Sequence, residues 1–187
     1  DELERALYLI RRRIEKRARE AGHQEFYVSS LSARSIIYKG MFLAEEIDRF
    51  YADLRDPAFV SSIAIFHQRY STNTFPEWRL AQPFRMLAHN GEINTLKGNI
   101  NWMKSHEIRM ASAVFGDAQD QVKPVIQPGS SDSAALDQAF ELLVRAGRSG
   151  PMAKTLLIPE AWEKQAGVLK EEWRALYAYS NAVMEPW

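Results

Sequence analysis

The stretch that most constrains this chain is Ser61-Ser62-Ile63-Ala64-Ile65-Phe66-His67-Gln68-Arg69-Tyr70. Its apolar residues follow one another instead of alternating, which is the pattern of a buried strand. Such a strand needs neighbours on both sides, and other segments read as suppliers. Residues 25–39 are rich in β-formers and read as two strands with a turn near Ala33-Arg34. Residues 84–89 read as a strand running into Asn90-Gly91, a strong turn signal because both residues tolerate positive φ. Val125-Ile126 reads as a short strand, and Leu156-Leu157-Ile158 as a short apolar run stopped by Pro159.

Helical spacing governs the rest. Leu3, Leu7, Ile10 and Ile14 recur at threes and fours, predicting an amphipathic helix over 2–20 that ends at Ala21-Gly22. The run Arg11-Arg12-Arg13 is then its solvated face. Further helices are expected over 43–52, 95–112 (with Leu96, Ile100, Met103, Ile108 and Met110 on one side) and 169–182. Another is expected over 132–146, capped by Ser130 or Ser131, with Leu136, Phe140 and Leu143 inward. Residues 71–83, with Pro76 and Pro83, read as a loop, as do most of 117–129. Strands early and helices late predict an α+β layered fold.

Charge and composition exclude several functions. Lys+Arg and Asp+Glu are equal at 24 each, so nothing points to nucleic acid or an anionic membrane as a partner. No apolar run approaches the roughly 20 residues of a membrane span. The charged N-terminus is not a signal peptide. There is no cysteine, which removes disulfides, thiolate metal sites and any thiol nucleophile from this chain. His23, His67, His89 and His106 have no zinc-ligand spacing, so no metal site is expected. Phosphate-cradling glycine loops and dinucleotide fingerprints are missing.

Three loci carry possible chemistry, and each admits two readings. Arg69, leaving the apolar run, suits a bidentate carboxylate, either of a ligand or of a protein Asp or Glu. The turn His89-Asn90-Gly91-Glu92 can aim a backbone N–H and an amide side chain in one direction, as an oxyanion hole does, or be an ordinary hairpin turn. His89 beside it reads as a general base or as a structural histidine. Asp132, in Gly129-Ser130-Ser131-Asp132-Ser133, can cap a helix or receive an ammonium group.

Taken in order, these loci resemble a known family. The run HQRYSTNTFPEWRLAQPFRMLAHNGEINTLKGNINWM is similar to the glutaminase domain of glutamate synthases, a class II glutamine amidotransferase domain. So are SARSIIYKGMFLAEEIDRFYADL, GSSDSAALDQAFELL, IPEAW and the terminal VMEPW. The segment through Asn99, Asn101 and Trp102 separates this family from the phosphoribosylamine-forming and asparagine-forming class II enzymes. The resemblance implies an N-terminal-nucleophile hydrolase fold, a four-layer αββα sandwich, incomplete here. It implies hydrolysis of L-glutamine to glutamate and ammonia by an N-terminal cysteine whose α-amino group is the base. Arg69 would bind the substrate carboxylate, with Thr72 assisting and Tyr70 lining the pocket. Asp132 would take the α-ammonium, and Asn90 and Gly91 would form the oxyanion hole.

The same resemblance implies that residues 1–187 are a partial domain, starting after the nucleophile and stopping before the domain ends, and inactive alone. Ammonia would pass to a synthase region that aminates 2-oxoglutarate with FMN and an iron–sulfur cluster, with no cofactor in this segment. The expected partners are glutamine, the remainder of the large subunit and a small subunit. The expected compartment is the cytoplasm, or the plastid for a plant protein. The rival reading is a relative without a nucleophile, kept for glutamine binding or subunit contact.

Overall fold

The computed structural model describes residues 1–69, 75–161 and 169–187. Its α-helices are α1 (Glu2–Glu20), α2 (Ile47–Phe50), α3 (Leu96–Ile108), α4 (Asp132–Arg145), α5 (Gly150–Leu157) and α6 (Glu171–Val183). Short 3-10 turns occupy Ala44–Glu46, Ala52–Arg55, Trp78–Leu80 and Gly116–Val122. The expected helix over 43–52 is thus broken into single turns, while the other long helices fall within a few residues of expectation.

Local chemistry accounts for the helix ends. α1 carries Glu2 and Glu4 in its first turn and Arg17 and Arg19 in its last, matching the helix dipole. It ends at Ala21, followed by Gly22 at φ 91°. Ser131 caps α4, its hydroxyl accepting from Ala134 N at 3.2 Å. Ser149 caps α5 in the same way at Met152 N, and Pro151 sits in the first turn.

The core forms where α4 packs against α1, α3 and α5. Tyr8, Met103, Phe115, Val122, Val125, Leu136, Ala139, Leu142 and Leu157 are buried together there. Each large aliphatic chain among them contributes roughly 1.5–3 kcal/mol by leaving water. Phe140 and Leu143 pack against this core half-buried, whereas Ile108, expected on the same side as Met103, is exposed. The C-terminal residues close over the core. Trp187 N donates to Leu157 O at 2.8 Å, and the fully buried Asn99 donates to Glu185 O at 2.9 Å and Pro186 O at 3.2 Å. Asn99, one of the residues carrying the family resemblance, therefore has a structural task.

Two expectations are corrected. No β-strand occurs among the described residues, so the α+β reading and its sheet layers do not hold for them. This removes the strands expected at 25–39, 84–89 and 125–126, and the one expected over 61–70 as far as Arg69, Tyr70 lying outside the described residues. β-propensity measures how well a residue fits a pleated, half-buried surface, and it needs a neighbouring strand to act. Residues 59–66 have none among the described residues and lie exposed, Val60 at 84% and Phe66 at 82%. The segment 84–89 uses a helix instead: Asp137 of α4 accepts from Met86 N at 2.7 Å, Leu87 N at 3.1 Å and Arg85 N at 3.4 Å.

The second correction concerns α1. Arg11 and Arg12 are not solvated: they are 2% and 4% exposed, while Leu3, Ile10 and Ile14 face outward. The inward face is charged because its charges are paired. Arg11 reaches Glu15 at 3.0 Å and Glu141 at 2.5 Å, and Glu15 also holds Arg85 at 2.8 Å. Glu4 pairs with Arg145 at 3.0 Å and accepts from Ala33 N at 2.7 Å. Burial works against the Arg11 charge, yet Glu141 and Glu15 keep its pKa raised. Arg12 instead donates to the carbonyls of Val122 and Pro124, and burial lowers its pKa.

Candidate functional site

The site is built around the N-terminus of α4. Asp132 is not the cap, because Ser131 is; it stands at the first helical position with its carboxylate directed across to the Asn-Gly turn. Its Oδ2 accepts from Ile93 N at 2.8 Å and its Oδ1 from Ser133 N at 2.7 Å. The Ser133 hydroxyl also donates to Oδ1, at 3.4 Å, so three of a carboxylate's roughly four lone-pair directions are used and one is left for a cationic ligand.

The turn is held from a second side. Gln82 Nε2 donates to His89 O at 2.6 Å, and Gln82 Oε1 accepts from His89 N at 3.4 Å. The His89 ring meets Ser133 Oγ through Nδ1 at 3.0 Å. In a trans peptide the carbonyl and the following N–H point in opposite directions. With His89 O committed to Gln82, Asn90 N–H faces the other way. Asn90 and Gly91 are both exposed, and neither donates to another described residue. Exposed, unspent donors beside a helix N-terminus can stabilise a developing negative charge.

The structure thus joins two of the three loci, the turn at 89–93 and the α4 start at 131–133. Arg69 stands exposed at the end of the 59–69 stretch, and no hydrogen bond or ion pair joins it to the other two among the described residues. Tyr70 and Thr72 lie outside the described residues. A cavity of about 480 Å³ opens elsewhere, over the charged face of α1, lined by Arg12, Glu15, Tyr27, Arg79 and Gln138. It includes none of Arg69, Asn90, Gly91 or Asp132, so it is separate from this site. No group of three or more His, Asp or Glu side chains gathers as a metal site among the described residues.

Sequence reasoning missed Gln82, Ser133 and Asp137. For Asp137 a signal existed. It is an acid set among Ala134, Ala135, Leu136, Ala139 and Leu142, and a carboxylate on an apolar helix face must be hydrogen-bonded to be buried. It is 1% exposed, and burial, with Glu141 nearby, pushes its pKa up to about 6. Gln82 and Ser133 carried no such signal, because their roles depend on a chain crossing that spacing does not reveal.

Comparison with known proteins adds the wider frame. The model of the family "Glutamine amidotransferases class-II" matches residues 1–187. The glutamate synthase [NADPH] large chain of Azospirillum brasilense is 58% identical over 187 residues, all of this chain and 12% of that one. The Bacillus subtilis (strain 168) glutamate synthase [NADPH] large chain is 48% identical over 184 residues, 98% of this chain and 12% of its own. Ferredoxin-dependent glutamate synthase 2, chloroplastic, of Arabidopsis thaliana is 45% identical over 190 residues, again with 12% of its length covered. The chain therefore spans about an eighth of the length of these curated relatives.

Proposed function

Because the chain belongs to the family of class-II glutamine amidotransferases, we propose that its residues form part of the glutamine-hydrolysing region of a glutamate synthase large subunit. The likeness along the whole chain to large chains of that name carries this reading. The fold implied by the family is that of N-terminal-nucleophile hydrolases, to which the described residues contribute the helical part.

In this reading the turn and the α4 start serve acyl transfer. A thiolate adds to the side-chain carbonyl carbon of glutamine, and the carbonyl oxygen becomes an oxyanion. The Asn90 side-chain amide and Gly91 N–H donate to it. The base that took the thiol proton returns it to the nitrogen as the C–N bond breaks, ammonia leaves, and water hydrolyses the acyl-enzyme to glutamate and the free thiol. Asp132 receives the substrate ammonium on its remaining lone pair, Arg69 grips the carboxylate with its planar fork, and Thr72 assists. The thiol is not among these residues, which include no cysteine. For the same reason they offer no thiolate to an iron–sulfur cluster, and FMN and cluster chemistry belong to the 2-oxoglutarate-aminating region that receives the ammonia. The remainder of the large subunit and a small subunit are the partners of this reading. No described helix is long and apolar enough to cross a membrane. The reading places the protein in the cytoplasm, or in the plastid as for the chloroplastic relative.

Steady-state kinetics of the full-length protein test it. Asn90→Ala should lower kcat for glutamine hydrolysis by roughly 10²–10³ with little change in KM. Arg69→Lys should instead raise KM, because an ammonium cannot reproduce the bidentate fork, while synthesis from free ammonia survives. A wild-type protein that releases no glutamate from glutamine ends the proposal.

A further inference from the structure

Gly91 has no positive φ, so backbone conformation does not explain a glycine there. Close approach does. A Cβ built on Gly91 would lie 2.8 Å from His89 Nε2 and 3.1 Å from His89 Cε1. The far end of a side chain can usually swing away from such a clash. This ring cannot do so freely, because Nδ1 is held by Ser133 Oγ at 3.0 Å and the His89 backbone is held at both polar atoms by Gln82. Ser133 is itself fixed, buried in the first turn of α4 with its N–H on Asp132 Oδ1. The histidine is therefore tethered under the turn, anchored to the helix that also carries Asp132.

We propose that His89 is a positioning residue of the glutaminase site. Tethered to Ser133, it fixes the orientation of the Asn90-Gly91 donors relative to Asp132 and makes glycine obligatory at position 91. The proposal rests on the function proposed above for its catalytic consequence, though not for its geometric one. No proton moves to or from His89 in this role; it acts through the turn. Two effects follow. Loss of the tether lets the donors wander, which weakens oxyanion stabilisation and leaves substrate binding by Arg69 and Asp132 in place. Removal of the ring opens space for a side chain at 91.

A double-mutant cycle tests both effects. In the full-length protein, Gly91→Ala should lower the Tm of the transition that unfolds this region by about 3–6 °C. In the His89→Asn background the same change should cost at most about 1 °C, since the shorter amide lacks the outer ring atoms and can still reach toward Ser133. An equal Tm loss in both backgrounds overturns the obligatory glycine. In the full-length protein, Ser133→Ala should lower glutaminase kcat about tenfold at unchanged KM for glutamine, and His89→Ala should do at least as much. His89→Asn should recover most of that loss. A Ser133→Ala protein that keeps its kcat, or whose defect lies in KM alone, overturns the positioning role. If the wild-type protein lacks glutaminase activity, the proposed function falls, and with it the catalytic half of this proposal. The stability cycle then judges the geometric half by itself. If His89→Ala fails to fold, Ser133→Ala and His89→Asn still decide the outcome.

Discussion

Asp137 puts a carboxylate where water does not reach, and three backbone N–H groups of residues 85–87 are its partners. Burial and the neighbouring Glu141 outweigh those bonds and push its pKa up to about 6, from an ordinary 3.8. The folded chain therefore keeps this proton between about pH 4 and 6, where the unfolded chain releases it. Its contribution to stability is complete below the unfolded value and is lost as pH rises through about 6. Relative to Asp137→Asn, the wild type should lose up to about 3 kcal/mol between pH 4 and 7. Chemical denaturation of the two proteins across that range measures the difference, and a wild type that gains stability relative to Asp137→Asn as pH rises contradicts the assignment. Asp132 differs, since it is only half-buried and, with three hydrogen bonds accepted, keeps one lone-pair direction open. The motif reading named Asp132, Asn90 and Gly91 from their order in the chain. Gln82 and Ser133, which hold His89 beside them, were hidden because they belong to contacts 7 and 44 residues distant, whereas Asp137, which holds Met86 from 51 residues away, showed as an acid on an apolar helix face.

At the scale of elements, periodicity gave the existence of α1, α3, α4 and α6 and nearly their ends, because caps and spacing are local. It failed to give orientation. The apolar stripe Leu3-Ile10-Ile14 was expected inward, yet α1 buries Arg11, Arg12, Glu4 and Glu15. A charged helix face is buried only where its partners come from afar, here Glu141, Arg85 and Arg145. The strands failed for a related reason: a strand is a property of a pair, and 59–69 finds no partner strand among the described residues. Both failures leave apolar surface open, the α1 stripe and Val60, Ile63, Ile65 and Phe66. Apolar surface of this kind drives association. The 187-residue chain should therefore sediment as more than a monomer at micromolar concentration. Replacing Ile63 and Phe66 by Ser should shift it toward monomer without lowering Tm, since neither packs against the core. Monomeric behaviour of the unaltered chain at that concentration would refute this.

For the molecule as a whole, the sharpest prediction is chemical. Amide hydrolysis through an acyl-enzyme needs an activated nucleophile. The 187 residues contain no thiol. The Ser133 hydroxyl touches the His89 imidazole, but it is buried, and its partner is Nδ1 of a histidine held at both backbone atoms. An attacking oxygen must be able to reach substrate carbon, and this one is enclosed beneath the turn instead of facing out with the Asn90 and Gly91 donors. Oxyanion donors alone can leave a residual rate when a hydrolase loses its nucleophile. That residue requires bound substrate, and Arg69 stands exposed with no described contact to the turn or Asp132. The isolated chain should therefore release no glutamate from glutamine above the uncatalysed rate, while a full-length protein carrying the same residues should do so. Following glutamate release from both under identical conditions is the measurement. Turnover by the 187 residues at the full-length rate would mean that a hydroxyl of this chain is the nucleophile, with Ser133 the first to replace by Ala.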